Sequence, residues 1–122
     1  MKLDYKKTIE FAKKAMMTTG VSKEDATHFA NCLIEADMRG MSSHGVTRLK
    51  TYYDRCKQGL VDPKAIPEII SDNPSLLAID GKNALGFVSA TFAMEECIKR
   101  AKKTGVCFAA VKGGNHFGLA AY

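Results

Sequence analysis

The segment 42–48, with the sequence Ser-Ser-His-Gly-Val-Thr-Arg, combines a proton-transfer group with a permanent cation. His44 can donate or accept a proton near neutral pH, and Arg48 carries a planar fork of hydrogen-bond donors. The serines are typical of helix starts, so one helix is predicted from Ser42 or Ser43 to about residue 59. Four residues apart on that helix, His44 and Arg48 would project from the same face. Together they could hold a small carboxylate and move a proton to or from its neighbouring oxygen.

The predicted helix places its apolar side chains opposite this pair. At about 100° per residue, one side collects Val46, Leu49, Tyr53, Cys56 and Leu60. The other side collects His44, Arg48, Thr51 and Arg55. His44 and Arg48 are therefore expected to face water or a cleft, not the core. From spacing alone, a solvated cationic face is the simpler interpretation, and a binding site is the alternative.

A second group of residues follows a predicted strand near the end of the chain. The run Gly-Gly-Asn-His-Phe-Gly at 113–118 comes soon after the apolar stretch 106–111, and a helix is predicted to begin at Leu119. A glycine-rich turn from strand into helix can bring backbone N–H groups to an anion, but this run lacks the G-x-G-x-x-G pattern. Asn115 and His116 favour a ligand site, because loops after strands often carry one. A tight connection without a ligand is the alternative.

Helical and strand periodicities together predict an α/β chain. Helices are predicted over 4–19, 22–40, 42–59 and 86–104, and strands over 68–71, 76–79 and 106–111. The apolar positions of the fourth helix are Val88, Phe92, Met94, Ile98 and Ala101. The last strand is continuously apolar and is expected to be buried on both faces. Residues 1–60 are interpreted as a helical subdomain, and residues 61–122 as the beginning of an α/β domain.

Composition and charge narrow the classes of partner. The chain has 122 residues, 46% hydrophobic and 25% charged, which is typical of a globular domain. No apolar run is long enough to cross a bilayer and the N-terminus has no signal-peptide pattern, so we expect neither a membrane nor a secretory signal. The net charge is +5, but many basic residues lie near predicted helix C-termini and no nucleic-acid motif accompanies them. We expect no nucleic-acid partner, and a positive field suits small anionic ligands.

The four cysteines, at positions 32, 56, 97 and 107, are widely spaced. They form no C-x-x-C pair and have no histidine nearby at metal-ligand spacing. This pattern predicts reduced thiols in the core of a cytoplasmic protein, with no disulfide framework and no metal site. His28 also has no partner nearby in sequence and is interpreted as structural or exposed.

The end of the chain interrupts a predicted element. Tyr122 falls inside the helix predicted at Leu119, and one apolar strand with two short ones makes an incomplete sheet. An open sheet edge is an aggregation liability. We therefore expect the chain to be a fragment of a larger enzyme.

Two motifs resemble a single family at the expected separation. The run 35–49, Glu-Ala-Asp-Met-Arg-Gly-Met-Ser-Ser-His-Gly-Val-Thr-Arg-Leu, with Tyr52-Tyr53 behind it, resembles the N-terminal signature of the malate/L-lactate dehydrogenase family, of the ureidoglycolate dehydrogenase and diketogulonate reductase type. The resemblance continues through Gly59-Leu60-Val61-Asp62-Pro63, Asp80-Gly81, Gly86 and Gly105-Val106 to Asn115-His116-Phe117-Gly118. It covers the whole chain, and about the first third of a family member.

The resemblance implies a cytoplasmic, usually dimeric oxidoreductase. Such an enzyme moves hydride between NAD or NADP and a small 2-hydroxy or 2-oxo acid, and its cofactor domain is a mixed sheet that is not a standard Rossmann fold. By resemblance, His44 is the catalytic proton donor or acceptor, Ser43 is the hydroxyl that orients it, and Arg48 binds the substrate carboxylate.

The resemblance also assigns the second motif to the cofactor. The segment that lines the cofactor pocket in the family matches His116, Phe117, Gly118, Leu119 and Ala120. In some members the histidine at position 116 is the proton acceptor, so His116 is a second catalytic candidate. The chain departs from the family at Gly113-Gly114, where relatives often carry bulkier or hydroxyl residues, and this could loosen the turn.

Three classes of function compete for these residues. The leading hypothesis is a fragment of an NAD(P)-dependent 2-hydroxyacid dehydrogenase that is inactive by itself. The alternative is a catalytically silent truncated remnant or a dimerisation module. A Ser/His hydrolase is disfavoured, because Ser43 and His44 are adjacent and neighbours on a helix do not face each other.

Overall fold

The computed structural model describes residues 4–120, which form two compact units. The helical unit contains residues 4–64 together with 117–120, and the sheet unit contains Ala65–His116. Helices α1 to α4 span Tyr5–Met17, Lys23–Met38, Leu49–Lys57 and Gly86–Thr104. Strands β1 to β3 span Glu68–Asn73, Leu76–Asp80 and Phe108–Lys112. Two 3₁₀ turns, Ser42–His44 and Val46–Arg48, precede α3.

The first two helices begin where short polar side chains cap them. Asp4 Oδ1 accepts the Lys7 N–H at 3.1 Å. Ser22 Oγ accepts the Asp25 N–H at 3.0 Å and donates to the Asp25 carboxylate at 2.7 Å, so the two residues form a capping pair. Gly20, with a φ of +100°, lies just beyond α1, where a left-handed residue commonly ends a helix. Both helices agree with the sequence prediction to within two residues at each end.

The core of the helical unit lies along one face of α2. Five apolar residues at helical spacing form this face and are completely buried: Ala26, Phe29, Ala30, Leu33 and Ala36. Phe29 meets the ring of Tyr52 on α3 edge to face, with the ring centroids 5.2 Å apart. Such pairs add to the free energy of burial, so this contact anchors α3, whose first residue directly follows Arg48.

The third helix predicted from the sequence is wrong over its first seven residues, 42–48. Ser42–His44 and Val46–Arg48 are separate 3₁₀ turns, and the α-helix begins only at Leu49. Gly45 between the turns is extended, with φ of −89° and ψ of −151°. His44 and Arg48 therefore do not occupy one α-helix.

The buried face of α3 also differs in part from the prediction. Leu49, Tyr52 and Cys56 are buried, whereas Tyr53 is half-buried and Leu60 is 50% exposed. The helix ends at Lys57, so Leu60 lies beyond it and does not continue the apolar stripe.

The sheet unit contains a three-stranded mixed sheet in the order β1-β2-β3. β1 and β2 are antiparallel, and β2 and β3 are parallel, with Leu76 opposite Phe108. A parallel pair needs a crossover connection, which α4 provides. Leu77 and Ile79 of β2 pack with Ala93 of α4 to form the core of this unit.

The last strand is more exposed than predicted. Phe108 is 66% exposed and Val111 is 39% exposed, so burial of this strand on both faces is wrong for the described residues. The strand also starts two residues later than predicted. Gly105 is left-handed, with a φ of +84°, and the Thr104 hydroxyl donates to the Val106 carbonyl, which together delay the extended chain.

Helix α4 has the bounds that the sequence predicts, but a different buried face. Met94 is 62% exposed and Ile98 is 47% exposed, although both are apolar. The buried positions are Gly86, Phe87, Ser89 and Ala93. The spacing of apolar residues therefore predicts the position of this helix in the sequence, but it does not predict which face of the helix packs on the sheet.

The predicted fold class, α/β with a helical part followed by a mixed sheet, is confirmed. β1 and β2 lie where the sequence predicts them and are longer by two residues and one residue, respectively. Within residues 4–120, no helix has the length and apolar character needed to cross a membrane.

A matched pair of phenylalanine variants tests where the core of the helical unit lies. Phe29 is completely buried, whereas Phe11 on α1 is 66% exposed. We expect Phe29→Ala to lower the free energy of unfolding by about 3–5 kcal/mol, because it leaves a cavity under Tyr52. Phe11→Ala should change it by less than about 0.5 kcal/mol. Urea unfolding followed by circular dichroism measures both, and equal losses would contradict the packing described above.

Candidate active site

The residues of segment 42–48, called the His44 loop below, converge although they do not share a helix. The Ser43 hydroxyl lies 2.9 Å from His44 Nδ1. Arg48 Nε donates to the Ser43 carbonyl oxygen at 3.0 Å. The structure therefore brings together the three candidate residues of this segment, with Ser43 between the imidazole and the guanidinium.

The contact between Ser43 and His44 contradicts one argument from the sequence. The expectation that these neighbours cannot face each other is wrong, because it assumed an α-helix. In the 3₁₀ turn that they occupy, the hydroxyl reaches the ring of the next residue. Their adjacency is thus no evidence against a functional pair.

An acidic residue of α2 holds the His44 loop. Asp37 Oδ2 accepts the Val46 N–H at 2.8 Å. Gly45 is buried against the same carboxylate, and a Cβ added at this position would overlap it. The φ of Gly45 is accessible to any residue, so the close approach of Asp37 is what requires glycine here.

The charged group of Arg48 lies at the protein surface. Among residues 4–120, no carboxylate lies within ion-pair distance of Arg48, which is exposed. Burial raises the pKa of the Tyr52 phenol, and the positive charge of Arg48 partly offsets this shift. His44 is half-buried. An exposed guanidinium beside a half-buried imidazole is suited to an anionic ligand that also exchanges a proton.

The second group of residues lies where β2 and β3 end side by side. The Asn83 N–H donates to the Gly113 carbonyl at 2.9 Å. The Asn115 side-chain amide donates to Asn83 Oδ1 at 3.0 Å and to the Ala84 carbonyl at 2.8 Å. These hydrogen bonds join the loop after β2 to the loop after β3.

The loop after β2 contains two residues in a conformation that is rare for non-glycine residues. Lys82 and Asn83 have φ values of +52° and +59°. The Lys82 N–H donates to Asp80 Oδ1 at 2.9 Å and lowers the pKa of that carboxyl, to which the Lys112 ammonium at 3.3 Å also contributes. Backbone strain of this kind persists only where surrounding hydrogen bonds determine the conformation.

The chain after β3 passes against the first residue of α4. A Cβ added at Gly86 would overlap the carbonyl oxygens of Asn115 and His116. No helix begins between residues 113 and 120, so the helix predicted at Leu119 is wrong as far as Ala120. The rest of that predicted helix lies outside the described residues.

The five residues assigned to a cofactor by resemblance belong to two units. His116 is exposed and is the last residue of the sheet unit, and Phe117–Ala120 belong to the helical unit. The Phe117 ring is 46% exposed. Gly118 and Leu119 are half-buried, and Ala120 is exposed.

Thiol groups lie elsewhere in the fold, and the Cys97 and Cys107 side chains are within hydrogen-bonding distance of each other. Among residues 4–120, no group of histidine, cysteine and carboxylate side chains could hold a metal ion. All four cysteines are free thiols, and Cys32 and Cys56 are buried. The Cys32 sulfur lies 3.6 Å from His28 Nε2, and His28 is half-buried on α2.

The chain matches the family model described as malate/L-lactate dehydrogenase over residues 3–122. It is 41% identical over 103 residues to the L-sulfolactate dehydrogenase of Methanocaldococcus jannaschii, covering 84% of this chain and 30% of that protein. It is 32% identical over 108 residues to a (2R)-3-sulfolactate dehydrogenase (NADP(+)) of Chromohalobacter salexigens, covering 87% and 32%. The solved malate dehydrogenase of Pyrococcus horikoshii superposes with a TM-score of 0.95 at 36% identity, covering 98% and 34%.

The chain belongs to the malate/L-lactate dehydrogenase family. It spans about a third of the length of the relatives that it matches. A Ser/His hydrolase is disfavoured because the chain belongs to this dehydrogenase family. The adjacency of Ser43 and His44 does not contribute to that conclusion.

Family membership also bears on residues that the sequence left uncertain. The Gly113 carbonyl accepts the Asn83 N–H and Gly113 has a φ of +60°, so the turn at the glycine pair 113–114 is held in place and not loose. Asp37 is not among the candidate residues identified from the sequence. It lies within the run 35–49 that resembles the family, which could have drawn attention to it. Its contact with Gly45 is visible only in the fold.

Substitution of Asn115 tests how the loops after β2 and β3 are held. We expect Asn115→Ala to lower the free energy of unfolding by about 1–2 kcal/mol, because two hydrogen bonds are lost and the Ala84 carbonyl loses its partner. Asn73→Ala is the control, since its amide makes one long contact, 3.4 Å to the Ser71 hydroxyl, on an exposed strand. Urea unfolding compares the two, and an unchanged stability for Asn115→Ala would show that other contacts hold these loops.

Proposed function

We propose that this chain supplies the substrate half of an oxidoreductase that transfers hydride between NAD(P) and a small 2-hydroxy or 2-oxo acid. The observation that carries the proposal is the His44 loop, in which one backbone segment holds an imidazole, a hydroxyl on its Nδ1 and a guanidinium. The relatives described above are malate and sulfolactate dehydrogenases, and both substrates are small hydroxy acids with a carboxylate.

His44 is proposed as the proton donor in reduction and the proton acceptor in oxidation. Reduction of a ketone places negative charge on its oxygen, and a nearby acid with a pKa near neutrality neutralises that charge. The Ser43 hydroxyl contacts His44 Nδ1 and is proposed to restrict the orientation of the ring. Proton exchange with substrate is then assigned to Nε2.

Arg48 is proposed to bind the substrate carboxylate. Its Nε is already engaged with the Ser43 carbonyl at 3.0 Å, which limits the orientations of the guanidinium plane. The two terminal nitrogens then provide parallel donors of the spacing that a carboxylate accepts. A substrate held in this way has its hydroxyl- or oxo-bearing carbon next to the bound carboxylate, close to the proton-transfer group in the same loop.

Residues 116–120 are the segment proposed to hold a nicotinamide cofactor. The exposed Phe117 ring offers a surface for stacking, and Gly118 and Ala120 have no long side chains to obstruct a nucleotide. We propose that His116, Phe117, Gly118, Leu119 and Ala120 hold NAD or NADP, with His116 as a second candidate for proton transfer. The cofactor, when bound, supplies or accepts the hydride.

The remaining parts of the proposal concern the whole protein. Hydride transfer is proposed for a protein of the relatives' full length, in which residues 1–122 make up about the first third. The 122-residue chain by itself is expected to be inactive. The whole enzyme is proposed to be cytoplasmic and homodimeric. A catalytically silent remnant or dimerisation module is the alternative, and it predicts no turnover in any form.

Turnover can be tested in a chimera, called the family-length protein below. It joins residues 1–122 to the remaining two thirds of the Pyrococcus horikoshii malate dehydrogenase. Oxidation of NADH or NADPH is followed at 340 nm with a panel of 2-oxo acids. In that protein, we expect His44→Ala to lower kcat by about 10²- to 10⁴-fold, the usual contribution of a general acid or base, without loss of cofactor binding. His28→Ala is the matched control on α2, and a kcat for His44→Ala equal to that of the control would exclude the proton-transfer role.

Arginine-to-lysine substitution tests the carboxylate assignment in the same protein. Lysine keeps the charge but lacks the planar pair of donors, so Arg48→Lys should raise the KM for a 2-oxo acid by about tenfold. Arg55→Lys, which alters an exposed arginine on α3, should leave KM unchanged. The assignment fails if Arg48→Lys changes only the thermal midpoint of unfolding.

A further inference from the structure

The chain enters α3 without a cap of its own. Gly45 occupies the N-cap position of the second 3₁₀ turn, which leads directly into α3, and glycine has no side chain to accept the first N–H groups. The Asp37 carboxylate, from the last turn of α2, accepts the Val46 N–H in its place. A carboxylate at this position also interacts favourably with the positive end of the helical segment that follows.

The same contact determines the path of the backbone on both sides of Gly45. His44 precedes Gly45, and Arg48 follows it by three residues. The Arg48 N–H donates to the Gly45 carbonyl at 2.9 Å, and the Gly45 N–H donates to the Ser42 carbonyl at 3.3 Å. Because Gly45 packs against the Asp37 carboxylate with no space for a Cβ, displacement of that carboxylate should move the two halves of the His44 loop relative to each other.

We infer that Asp37 is a positioning residue, which sets the placement of His44 relative to Arg48 by capping Val46 and packing on Gly45. This inference relies on the proposed function for the roles of His44 and Arg48. The contacts on which it is based are independent of that function. Asp37 itself is not assigned to any contact with substrate or cofactor.

A double-mutant cycle on the 122-residue chain tests the contact directly. Gly45→Ala alone should be strongly destabilising, because its Cβ meets the Asp37 carboxylate. In the Asp37→Ala background the carboxylate is gone, so Gly45→Ala should cost clearly less. Contacting residues are non-additive in this way, whereas independent ones are additive. Additive effects on the unfolding equilibrium would overturn the inference.

Amide hydrogen exchange gives a second readout on the same chain. Loss of a hydrogen bond to a charged acceptor should make the Val46 N–H exchange about 10- to 100-fold faster in Asp37→Ala. Asp37→Asn has the same shape and retains a neutral oxygen acceptor, whose hydrogen bond is weaker, so its exchange rate should lie between those of the parent and Asp37→Ala. Glu35→Ala on the same helix, which removes a surface pair with Arg39, is the control. Unchanged protection in Asp37→Ala would contradict the capping role.

Kinetics of the family-length protein distinguish positioning from a purely structural role. Misplacement of reacting groups by a fraction of their spacing can cost about 10²-fold. Asp37→Ala should therefore lower kcat by about 10- to 100-fold and raise the KM for a 2-oxo acid, at a temperature where the variant is folded, and Asp37→Asn should restore most of both. A variant that is less stable but has normal kcat and KM would show that Asp37 is only structural.

The two proposals fail in different ways. If His44→Ala retains full turnover, the proton-transfer role proposed for His44 is wrong, whatever the variants at position 37 show. If His44→Ala is impaired while Asp37→Ala is kinetically normal, the proposed function stands and Asp37 is not a positioning residue.

Discussion

A single carboxylate contact determines the form of the His44 loop. Asp37 at the end of α2 caps the backbone at Val46 and leaves no room for a side chain at Gly45. The segment does not continue as one α-helix from its serines, and it forms two short turns around the extended Gly45. That interruption places the Ser43 hydroxyl on the His44 ring and the Arg48 guanidinium on the Ser43 carbonyl. A charged acceptor suits this task, because its hydrogen bonds are stronger than those of neutral groups.

The helical unit and the sheet unit hold their functional segments by different means. In the helical unit, a charge-assisted cap and the edge-to-face pair of Phe29 and Tyr52 fix the start of α3. In the sheet unit, side-chain and backbone amides join the loop after β2 to the loop after β3, and two left-handed residues are retained in the process. Both arrangements use interactions that are local to one unit, so each segment is organised by its own packing.

The elements that were predicted well are those whose signals are local in sequence. The starts of α1 and α2 are marked by Asp4 and by Ser22, whose side chains accept hydrogen bonds from N–H groups three residues later. The buried residues of α2 recur with the period of a helix. Gly105 marks the end of α4 in the same way. The His44 loop was predicted incorrectly because its cap comes from nine residues earlier. The burial of β3 was overestimated for a related reason, since an apolar strand does not reveal which elements cover it.

The residue types of the candidate site, the family and the order of helices and strands could all be predicted from the sequence. These depend on side-chain chemistry and on short-range periodicity, which are properties of the chain read one segment at a time. The fold was needed to show that Ser43 contacts His44, that Arg48 Nε donates to the Ser43 carbonyl, and that Asp37 contacts the same loop. The physical reason is that a capping hydrogen bond and a close backbone approach require two segments to meet, and that meeting is set by how α2 packs, not by the residues of the loop.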